Sequence, residues 1–264
     1  MTATPPATAA PRLALRVDGL RVRYGPTIAV DDVALDVREG EIFGLLGPNG
    51  AGKTSALSAI EGLLRPDGGE IAIGNVDARV HPLRAKAQLG VHLQTTSFHA
   101  NLTLLEIVRL YAGLYGVSLS AEQIRGRLEE INLQGEARKR FRELSGGQQQ
   151  RFSLLIATIH DPPLVLLDEP TAGLDPQARR QLWDRIERFR KEGRSILLTT
   201  HSMEEAQAVC DRVAIMDRGR VLTVDTPAGL IEAHRSDPRV REAAHGEVTL
   251  EDVFIGLTGR ELRD

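Results

Sequence analysis

The sequence is poor in several features that would place it in a particular class of protein. Its 264 residues include one cysteine, Cys210, so no disulfide can form within the chain, which is typical of a reducing compartment. No apolar run approaches the roughly 18 residues that a membrane-spanning helix needs. The first residues, MTATPPATAAPRLA, have neither a basic nor an apolar stretch, so we expect no signal peptide. These gaps argue against a disulfide scaffold and against an integral membrane protein.

An excess of basic residues is also lacking. The formal net charge of −3 argues against a protein that acts mainly on nucleic acid. Lysine is scarce among the 33 basic residues, so each lysine attracts notice. The four lysines are Lys53, Lys86, Lys139 and Lys191. The remaining balance, 42% hydrophobic and 26% charged residues, is typical of a globular protein with one large domain or a domain with an insert.

The hydrophobic pattern predicts an α/β fold. Between Leu13 and about Leu46, the short runs LALRV, RVRY, VALDV and IFGLL predict a sheet with antiparallel strands. Later runs are apolar on both faces, as in a parallel sheet covered by helices. They are LVLL (164–167), SILLTT (195–200), RVAIM (212–216) and RVLTV (220–224). Residues 1–12 predict a flexible tail, and LEDVFIGLTGREL (250–262) predicts an amphipathic helix.

Residues 95–160 are predicted to form a mostly helical insert. Three sets of apolar residues recur at helical spacing within it. They are Ile107, Leu110, Tyr111 and Leu114; Ile124, Leu128 and Ile131; and Phe152, Leu155, Ile156 and Ile159. We expect each set to form one buried face.

A phosphate-binding loop follows the strand-like run IFGLL. It consists of Gly47, Pro48, Asn49, Gly50, Ala51, Gly52, Lys53 and Thr54, which match G-x-x-x-x-G-K-[ST] between a strand and a helix. The glycines let several backbone N–H groups point at one anion, and the helix adds its positive N-terminus. Lys53 is expected to contact the β- and γ-phosphates, Thr54 to bind Mg²⁺, and Ser55 to contact the α-phosphate.

Two carboxylates end the buried run LVLL. Ligands of open α/β sheets lie beyond the carboxyl ends of the strands. Asp168, at the end of the strand, is therefore expected at Mg²⁺, and Glu169 is expected to reach a water in line with the γ-phosphate. Asp175 before Pro176 predicts a helix N-cap.

A second helix N-terminus suited to an anion begins at Ser145, Gly146, Gly147 and Gln148. Taken by themselves, these residues favour an ordinary capped helix. Their other explanation is a nucleotide held by another subunit, because Lys53 already accounts for the phosphates bound by this chain. That explanation implies a symmetric dimer with two nucleotides between the subunits.

The motifs GPNGAGKT, LSGGQ and LLDEPTAGLD together resemble those of the nucleotide-binding subunit of ATP-binding cassette (ABC) transporters. The resemblance covers nearly all of residues 13–230, in the family's order. It implies that Tyr24 stacks on adenine, Gln94 senses Mg²⁺, and His201 contacts the γ-phosphate. It also implies that Glu169 orients water and that Ser145 to Gln148 meet the nucleotide of the partner subunit.

The resemblance further implies the ABC ATPase fold. This is a P-loop NTPase core with a mixed or parallel sheet, an antiparallel N-terminal β region and an inserted helical subdomain. Residues 13–230 would form the ATPase domain and residues 231–264 a C-terminal helical extension. The implied activity is Mg²⁺-dependent hydrolysis of ATP, in a homodimer or paired with a second ABC ATPase.

A separate integral-membrane permease is implied as the partner, with the chain peripheral on the cytoplasmic side. Residues 95–102 are expected to contact it, with Phe98 and Glu106 contributing. Several segments, among them GVHLQTTSFHANLTLLEIVRLYAGLYG, resemble ATPases paired with two-component exporters of the daunorubicin-resistance type. This second resemblance implies export of a drug or another amphipathic compound.

Three alternatives compete with this interpretation. One is a soluble ABC ATPase acting on ribosomes or DNA, which the single cassette and the absent basic surplus disfavour. Another is a P-loop GTPase, although none of the four lysines lies in an [NT]-K-x-D element. The third is a catalytically silent cassette, against which Lys53, Glu169 and His201 argue.

Overall fold

The computed structural model describes residues 11–93, 98–99 and 101–259. The strands are β1 (Leu13–Tyr24), β2 (Thr27–Arg38), β3 (Ile42–Leu46), β4 (Gly68–Ile73), β5 (Val76–Asp77), β6 (Leu89–His92), β7 (Leu164–Asp168), β8 (Ser195–Thr200), β9 (Arg212–Asp217) and β10 (Arg220–Asp225). The helices are α1 (Lys53–Ile60), α2 (Pro82–Lys86), α3 (Leu104–Leu114), α4 (Ala121–Glu129), α5 (Gly146–Ala157), α6 (Pro176–Lys191), α7 (Met203–Val209), α8 (Pro227–His234), α9 (Pro238–Ala243) and α10 (Leu250–Thr258). The expected α/β class is confirmed.

The N-terminal strands form an antiparallel sheet in the order β2-β1-β4-β5. The prediction of separate strands in LALRV and RVRY was wrong, because one strand, β1, contains both runs. Its pairing with β2 shifts register between Val17 and Leu20, and Gly19 there has a φ of 62°. A glycine adopts this left-handed conformation without steric cost, so the strand bulges and continues.

The second sheet has six strands in the order β10-β9-β3-β8-β7-β6. All its neighbouring strands are parallel except β9 and β10. RVLTV was expected to be a strand of a parallel sheet. It is instead the edge strand β10 of this sheet and pairs antiparallel with β9. Arg218 and Gly219, both with positive φ, connect β9 to β10 in a two-residue hairpin turn. Strand β8 lies between β3 and β7, which places the ends of these three strands side by side.

The buried side chains form three clusters. One lies between the two sheets and α1. Another lies on the opposite face of the second sheet, and it includes Leu230, Val240 and Phe254 from the C-terminal helices. The third consists wholly of residues from 98–159, among them Phe152. The helical segment therefore has its own core, while the C-terminal helices share the core of the second sheet.

Two helices differ in detail from the predictions. In α3, Leu104, Ile107, Val108 and Ala112 are buried, whereas Leu110 and Leu114 are exposed. The prediction for α3 was therefore wrong, because the buried face is rotated by about one residue from the expected one. The apolar sets in 124–131 and 152–159 are buried as predicted. Helix α10 ends at Thr258, because Gly259 adopts a left-handed conformation that ends the helix. Across the described ranges, every helix is too short or too polar to traverse a lipid bilayer.

Candidate nucleotide-binding site

The loop between β3 and α1 wraps closely over neighbouring backbone. A Cβ atom on Gly47 would lie 2.3 Å from the carbonyl oxygen of Met216, and one on Gly52 would lie 2.2 Å from that of Ala29. Gly52 also has a φ of 104°, in the region that favours glycine. Side chains at these two positions would push the loop out of place. The glycines therefore fix the loop that precedes the N-terminus of α1, as the motif predicts.

Lys53, the first residue of α1, points back under this loop. Its Nζ donates hydrogen bonds to the carbonyl oxygens of Gly47, at 2.7 Å, and Pro48, at 3.1 Å. It also lies 3.3 Å from Oε1 of Glu169, in an ion pair whose side chains are almost completely buried. Burial lowers the pKa of Lys53, and the charge of Glu169 acts in the opposite direction. The amine is thus held in place beside the acid expected to orient water.

Asp168 ends β7 and is positioned by the adjacent strand β8. The hydroxyl of Thr199 donates to Asp168 Oδ1 at 2.5 Å and accepts a hydrogen bond of 3.0 Å from the backbone N–H of Glu169. The next residue, Thr200, accepts at its carbonyl from the N–H of Gly47, at 3.1 Å. Strand β8 therefore connects the phosphate-binding loop to the carboxylate of Asp168 and to the backbone of Glu169.

The role of Thr199 was not predicted from the sequence. The only available signal was that the apolar run SILLTT ends in two hydroxyl residues at a strand end. Its side chain is fully buried, and it acts through Asp168 and Glu169 rather than on a ligand. It is therefore a positioning residue.

Glu169 lies between Lys53 and His201. Its Oε1 atom is 3.4 Å from Nδ1 of His201, which directly follows β8. Glu169 has a φ of 43°, a left-handed conformation that costs a residue with a side chain about 1 to 3 kcal/mol and is found mainly at functional sites. The structure thus brings together the three residues predicted to be catalytic.

Thr54 and Asp168 provide the oxygen donors expected at Mg²⁺. The Thr54 hydroxyl lies 3.4 Å from Asp168 Oδ1. Within the described ranges, no group of three or more His, Cys, Asp and Glu side chains could hold a metal by itself. A single hydroxyl and a single carboxylate fit Mg²⁺, which prefers few protein oxygens and completes its shell with phosphate and water. Gln94, the other expected contact of the metal, lies outside the described residues.

A cavity of about 350 Å³ opens over the phosphate-binding loop. Its walls come from residues 27–29 of β2, the loop, the start of α1 and Glu169. Tyr24 is 52% exposed, and its hydroxyl lies 3.5 Å from Oγ of Ser55. An aromatic ring is therefore accessible near the residue expected at the α-phosphate.

The segment Ser145 to Gln148 is not part of this cavity. Ser145 and Gln148 form a capping box at the start of α5, in which each side chain accepts a hydrogen bond from the other's backbone N–H. Ser145 and Gly146 are nevertheless exposed. Gln150, one turn later, donates to the carbonyl oxygen of Pro170 at 2.5 Å and so connects α5 to the segment after Glu169. That connection was also missed in the sequence.

The cap expected at Asp175 is confirmed. Its side chain accepts from the N–H groups of Gln177 and Ala178, each at 2.9 Å, and Pro176 begins α6. The capping role follows from the local sequence alone, because its partners are two and three residues away.

Phe98 and Glu106, expected at a docking surface, both have structural roles. Phe98 packs edge-on against Tyr111, Phe141 and Phe152, with ring centroids 5.4, 4.8 and 5.6 Å apart. Glu106 forms a capping box with Thr103 at the start of α3. Replacing these residues would disturb the helical segment itself. The remaining expected contacts include 95–97 and Ala100, which lie outside the described residues.

Comparison with known proteins gives relatives over most of the chain. Residues 30–172 match the sequence profile of the family described as ABC transporter. A protein of Cupriavidus metallidurans, "Nod factor export ATP-binding protein I", is 34% identical, and the alignment covers 95% of this chain and 99% of that protein. The protein of the same name from Burkholderia pseudomallei strain K96243 is 38% identical over 92% of this chain and 96% of its own length.

Solved structures show the same architecture. An ATP-binding subunit of an ABC transporter superposes with a TM-score of 0.78 at 31% identity, covering 93% of this chain and 99% of its own. The dimeric bacterial ABC transporter cassette MJ0796 gives a TM-score of 0.73 at 27% identity, covering 80% of this chain and 98% of its own. These similarities extend beyond the phosphate-binding loop to the sheets and helices around it.

Proposed function

The chain belongs to the ABC transporter family as an ATP-binding subunit with ATPase activity, and from that premise we propose that it drives export through a separate membrane permease. The observation that carries the proposal is that Lys53 and Glu169 form an ion pair at the wall of one cavity, with His201 3.4 Å from Glu169. Asp168 lies 3.4 Å from the hydroxyl of Thr54, which lines the same cavity. The names of its relatives, which describe export, support the direction of transport.

We propose that the phosphate-binding loop holds the triphosphate of ATP. The N–H groups of residues 49, 50 and 52 to 54, the ammonium of Lys53 and the hydroxyl of Ser55 would bind the phosphates. Tyr24 would stack on the adenine. Thr54 and Asp168 would hold Mg²⁺, together with Gln94, and the ion when bound neutralises charge that develops on the phosphates.

The roles of the other side chains follow from their positions. Glu169 Oε1 accepts a hydrogen bond from the attacking water and aligns it with the γ-phosphoryl group. His201, next to that oxygen, supports the same water or the γ-phosphate. Lys53 stays beside the phosphate oxygens, where its charge offsets the charge of the transition state. Thr199 keeps the carboxylate of Asp168 and the backbone of Glu169 in place.

We propose further that hydrolysis requires a dimer, either with a second copy or with another ABC ATPase. The exposed N-terminus of α5, including Ser145 and Gly146, does not contribute to the cavity of its own chain, which supports a role toward the partner's nucleotide. The similarity to a dimeric cassette supports the same arrangement. ATP would then close the dimer and hydrolysis would release it.

The functional units are proposed to be those of the family. Residues 13–230 would form the ATPase domain, with a helical subdomain at about 95–160, and residues 231–264 would extend it. The separate core within 98–159 supports the helical subdomain as a unit that can shift relative to the sheets. The expected tail at 1–12 lies almost wholly outside the described residues.

The permease is proposed to dock in a groove between the second sheet and the helical segment, and the chain would lie on the cytoplasmic face of the membrane. The groove has a volume of about 560 Å³ and is lined by residues of β6, α3 and α5. Its position between two parts of the ATPase would let ATP-driven movement reach the membrane subunit. The cargo class we propose is a drug or another amphipathic compound, as in daunorubicin-type exporters.

Transport by inside-out membrane vesicles tests this function. Vesicles containing the chain and the permease that co-purifies with it should accumulate a labelled amphipathic drug when given ATP. The Lys53→Ala variant should accumulate none. Recovery of the chain with ribosomes or DNA, instead of with membranes, would contradict the proposal and favour a soluble ABC ATPase.

A further inference from the structure

Glu61 is a buried acid outside the catalytic machinery. It follows α1 directly, and its exposed fraction is only 4%. Neither carboxylate oxygen has a hydrogen-bond partner among the described residues. Most buried polar groups in proteins are paired, and an unpaired buried carboxylate costs several kcal/mol. Glu61 therefore needs either a proton or a partner that is not among the described residues.

The Glu61 side chain lines the groove proposed for the permease. The surrounding side chains are mostly apolar or aromatic, and Leu63, Leu93 and Tyr115 remain 66%, 38% and 43% exposed. Adjacent exposed apolar side chains of this size are typical of a surface that binds another protein. A single carboxyl group among these apolar side chains would favour a partner that carries one complementary polar or charged group.

Two charges act on Glu61 from neighbouring elements. Its pKa is raised from 4.5 to about 7, mainly by burial and in part by the charge of Asp168 on β7, while the charge of Lys86 on α2 acts in the opposite direction. The Lys86 ammonium donates to the carbonyl oxygen of Gly62, at 3.0 Å, and makes no hydrogen bond to the carboxylate. The other titratable groups of the groove are the hydroxyls of Tyr111 and Tyr115 on the α3 side. A cation entering the groove would thus stabilise the ionised form of an acid whose pKa is raised in its absence.

We infer that Glu61 selects the docked partner, which is a cytoplasmic segment of the permease with apolar residues around one lysine or arginine that pairs with this carboxylate. The inference rests on the proposed function, because it takes the groove as the docking site of the permease. The apolar neighbours of the basic residue would fill the space beside Leu63, Leu93 and Tyr115. The ion pair would supply the charge complementarity that apolar contact lacks.

A variant without the charge of Glu61 distinguishes a partner with a cation from a partner with a neutral hydrogen-bond donor. Glutamine keeps the size of Glu61 and an oxygen acceptor but removes the charge. A neutral donor would therefore bind a Glu61→Gln variant as well as the wild type, whereas a cation would not. A backbone or side-chain carbonyl accepting from protonated Glu61 would bind better at low pH, and a cation better at high pH.

Binding to the membrane subunit tests the inference. The labelled chain is titrated onto nanodiscs that contain its co-purifying permease, at about pH 6 and about pH 8. The wild type should bind more tightly at the higher pH. Glu61→Gln should weaken binding roughly tenfold at the higher pH and remove the pH dependence. Glu70→Gln changes an exposed glutamate of β4 and should bind as the wild type does.

Charge reversal on both partners distinguishes loss of the ion pair from misfolding, because a misfolded variant could not be rescued. Glu61→Arg should abolish binding, and replacing the basic residue of the permease segment by glutamate should restore it. Basal ATPase activity of the isolated Glu61→Gln chain should remain, which shows that the site is intact. Equal binding of Glu61→Gln and wild type at both pH values, or tighter wild-type binding at the lower pH, overturns the inference alone. A wild-type chain that does not bind the permease at either pH overturns the proposed function as well.

Discussion

Lys53 and Glu169 form a buried ion pair, with Nζ and Oε1 3.3 Å apart, although they belong to different motifs that follow different strands. The lysine follows the loop after β3, and the glutamate follows β7. The same oxygen lies 3.4 Å from His201, so one carboxylate joins three motifs. A bound phosphate and Glu169 attract the same ammonium, so nucleotide binding would loosen this pair and leave Glu169 available to water.

Glu169→Gln should bind ATP but hydrolyse it at least roughly 100-fold more slowly, because the amide is a poor acceptor for the proton of water. The variant should accumulate the closed dimer, which gel filtration detects as an ATP-dependent doubling in mass. Glu192→Gln, at an exposed position after α6, is the matched control and should retain the wild-type rate. Hydrolysis at the normal rate by Glu169→Gln would show that this acid does not orient the water.

Lys53→Ala should lower ATP affinity at least roughly 100-fold, or about 2.7 kcal/mol, because it removes the buried cation at the phosphates. Isothermal titration calorimetry with ATP measures the loss. Lys191→Ala removes an exposed lysine near the end of α6 and should leave affinity unchanged. Unchanged affinity in Lys53→Ala would mean that the loop does not hold the phosphates.

Thr199→Val should lower the rate constant of ATP hydrolysis roughly 10- to 100-fold, because a hydrogen bond to a carboxylate is worth about 1.5 to 3 kcal/mol. The hydroxyl positions Asp168 and Glu169, so the loss should appear mainly in kcat. Thr199→Ser keeps the hydroxyl and should restore most of the activity. A serine variant as slow as the valine variant would indicate that packing of the methyl group, rather than the hydrogen bond, is what matters.

The stability of the chain should depend on pH through Glu61. Its pKa is raised by burial from 4.5 to about 7, so the folded state holds the proton more tightly than the unfolded state. This contribution is fully present below about pH 4.5 and is lost as the pH rises through about 7, by about 3 kcal/mol at most. Glu61→Gln should therefore become more stable relative to the wild type between about pH 5 and pH 8 in urea unfolding. A constant difference between the two proteins over this range would rule out a raised pKa.

Phe98→Ala should destabilise the chain by about 3 to 5 kcal/mol, because it removes a ring from the aromatic cluster of the helical segment. Leu114→Ala removes a side chain that is 72% exposed and should change the free energy of unfolding by less than about 0.5 kcal/mol. Urea unfolding compares the two variants. A Leu114→Ala variant destabilised as strongly as expected for Phe98→Ala would mean that the face of α3 containing Leu114 is buried.

The sequence by itself determined the features of this protein that depend on interactions between residues close together in the chain. The phosphate-binding loop, the caps at Ser145 and Asp175, and the strand ends at Asp168 and Thr200 depend on neighbours a few residues away, and the structure places each where the sequence predicts it. The α/β class followed from runs of apolar residues, because a strand buried on both faces shows no alternation.

The order of the strands in the sheet determined the contacts between distant motifs, and no local sequence pattern predicts that order. Strand β8 inserts between β3 and β7, so Thr199 meets Asp168 and His201 meets Glu169 across the sheet. Register and burial in three dimensions likewise decide which face of α3 is covered and why Glu61 has no hydrogen-bond partner in the part of the chain that the structure describes. The sequence specified the reacting groups, and the packing of distant segments set the distances between them.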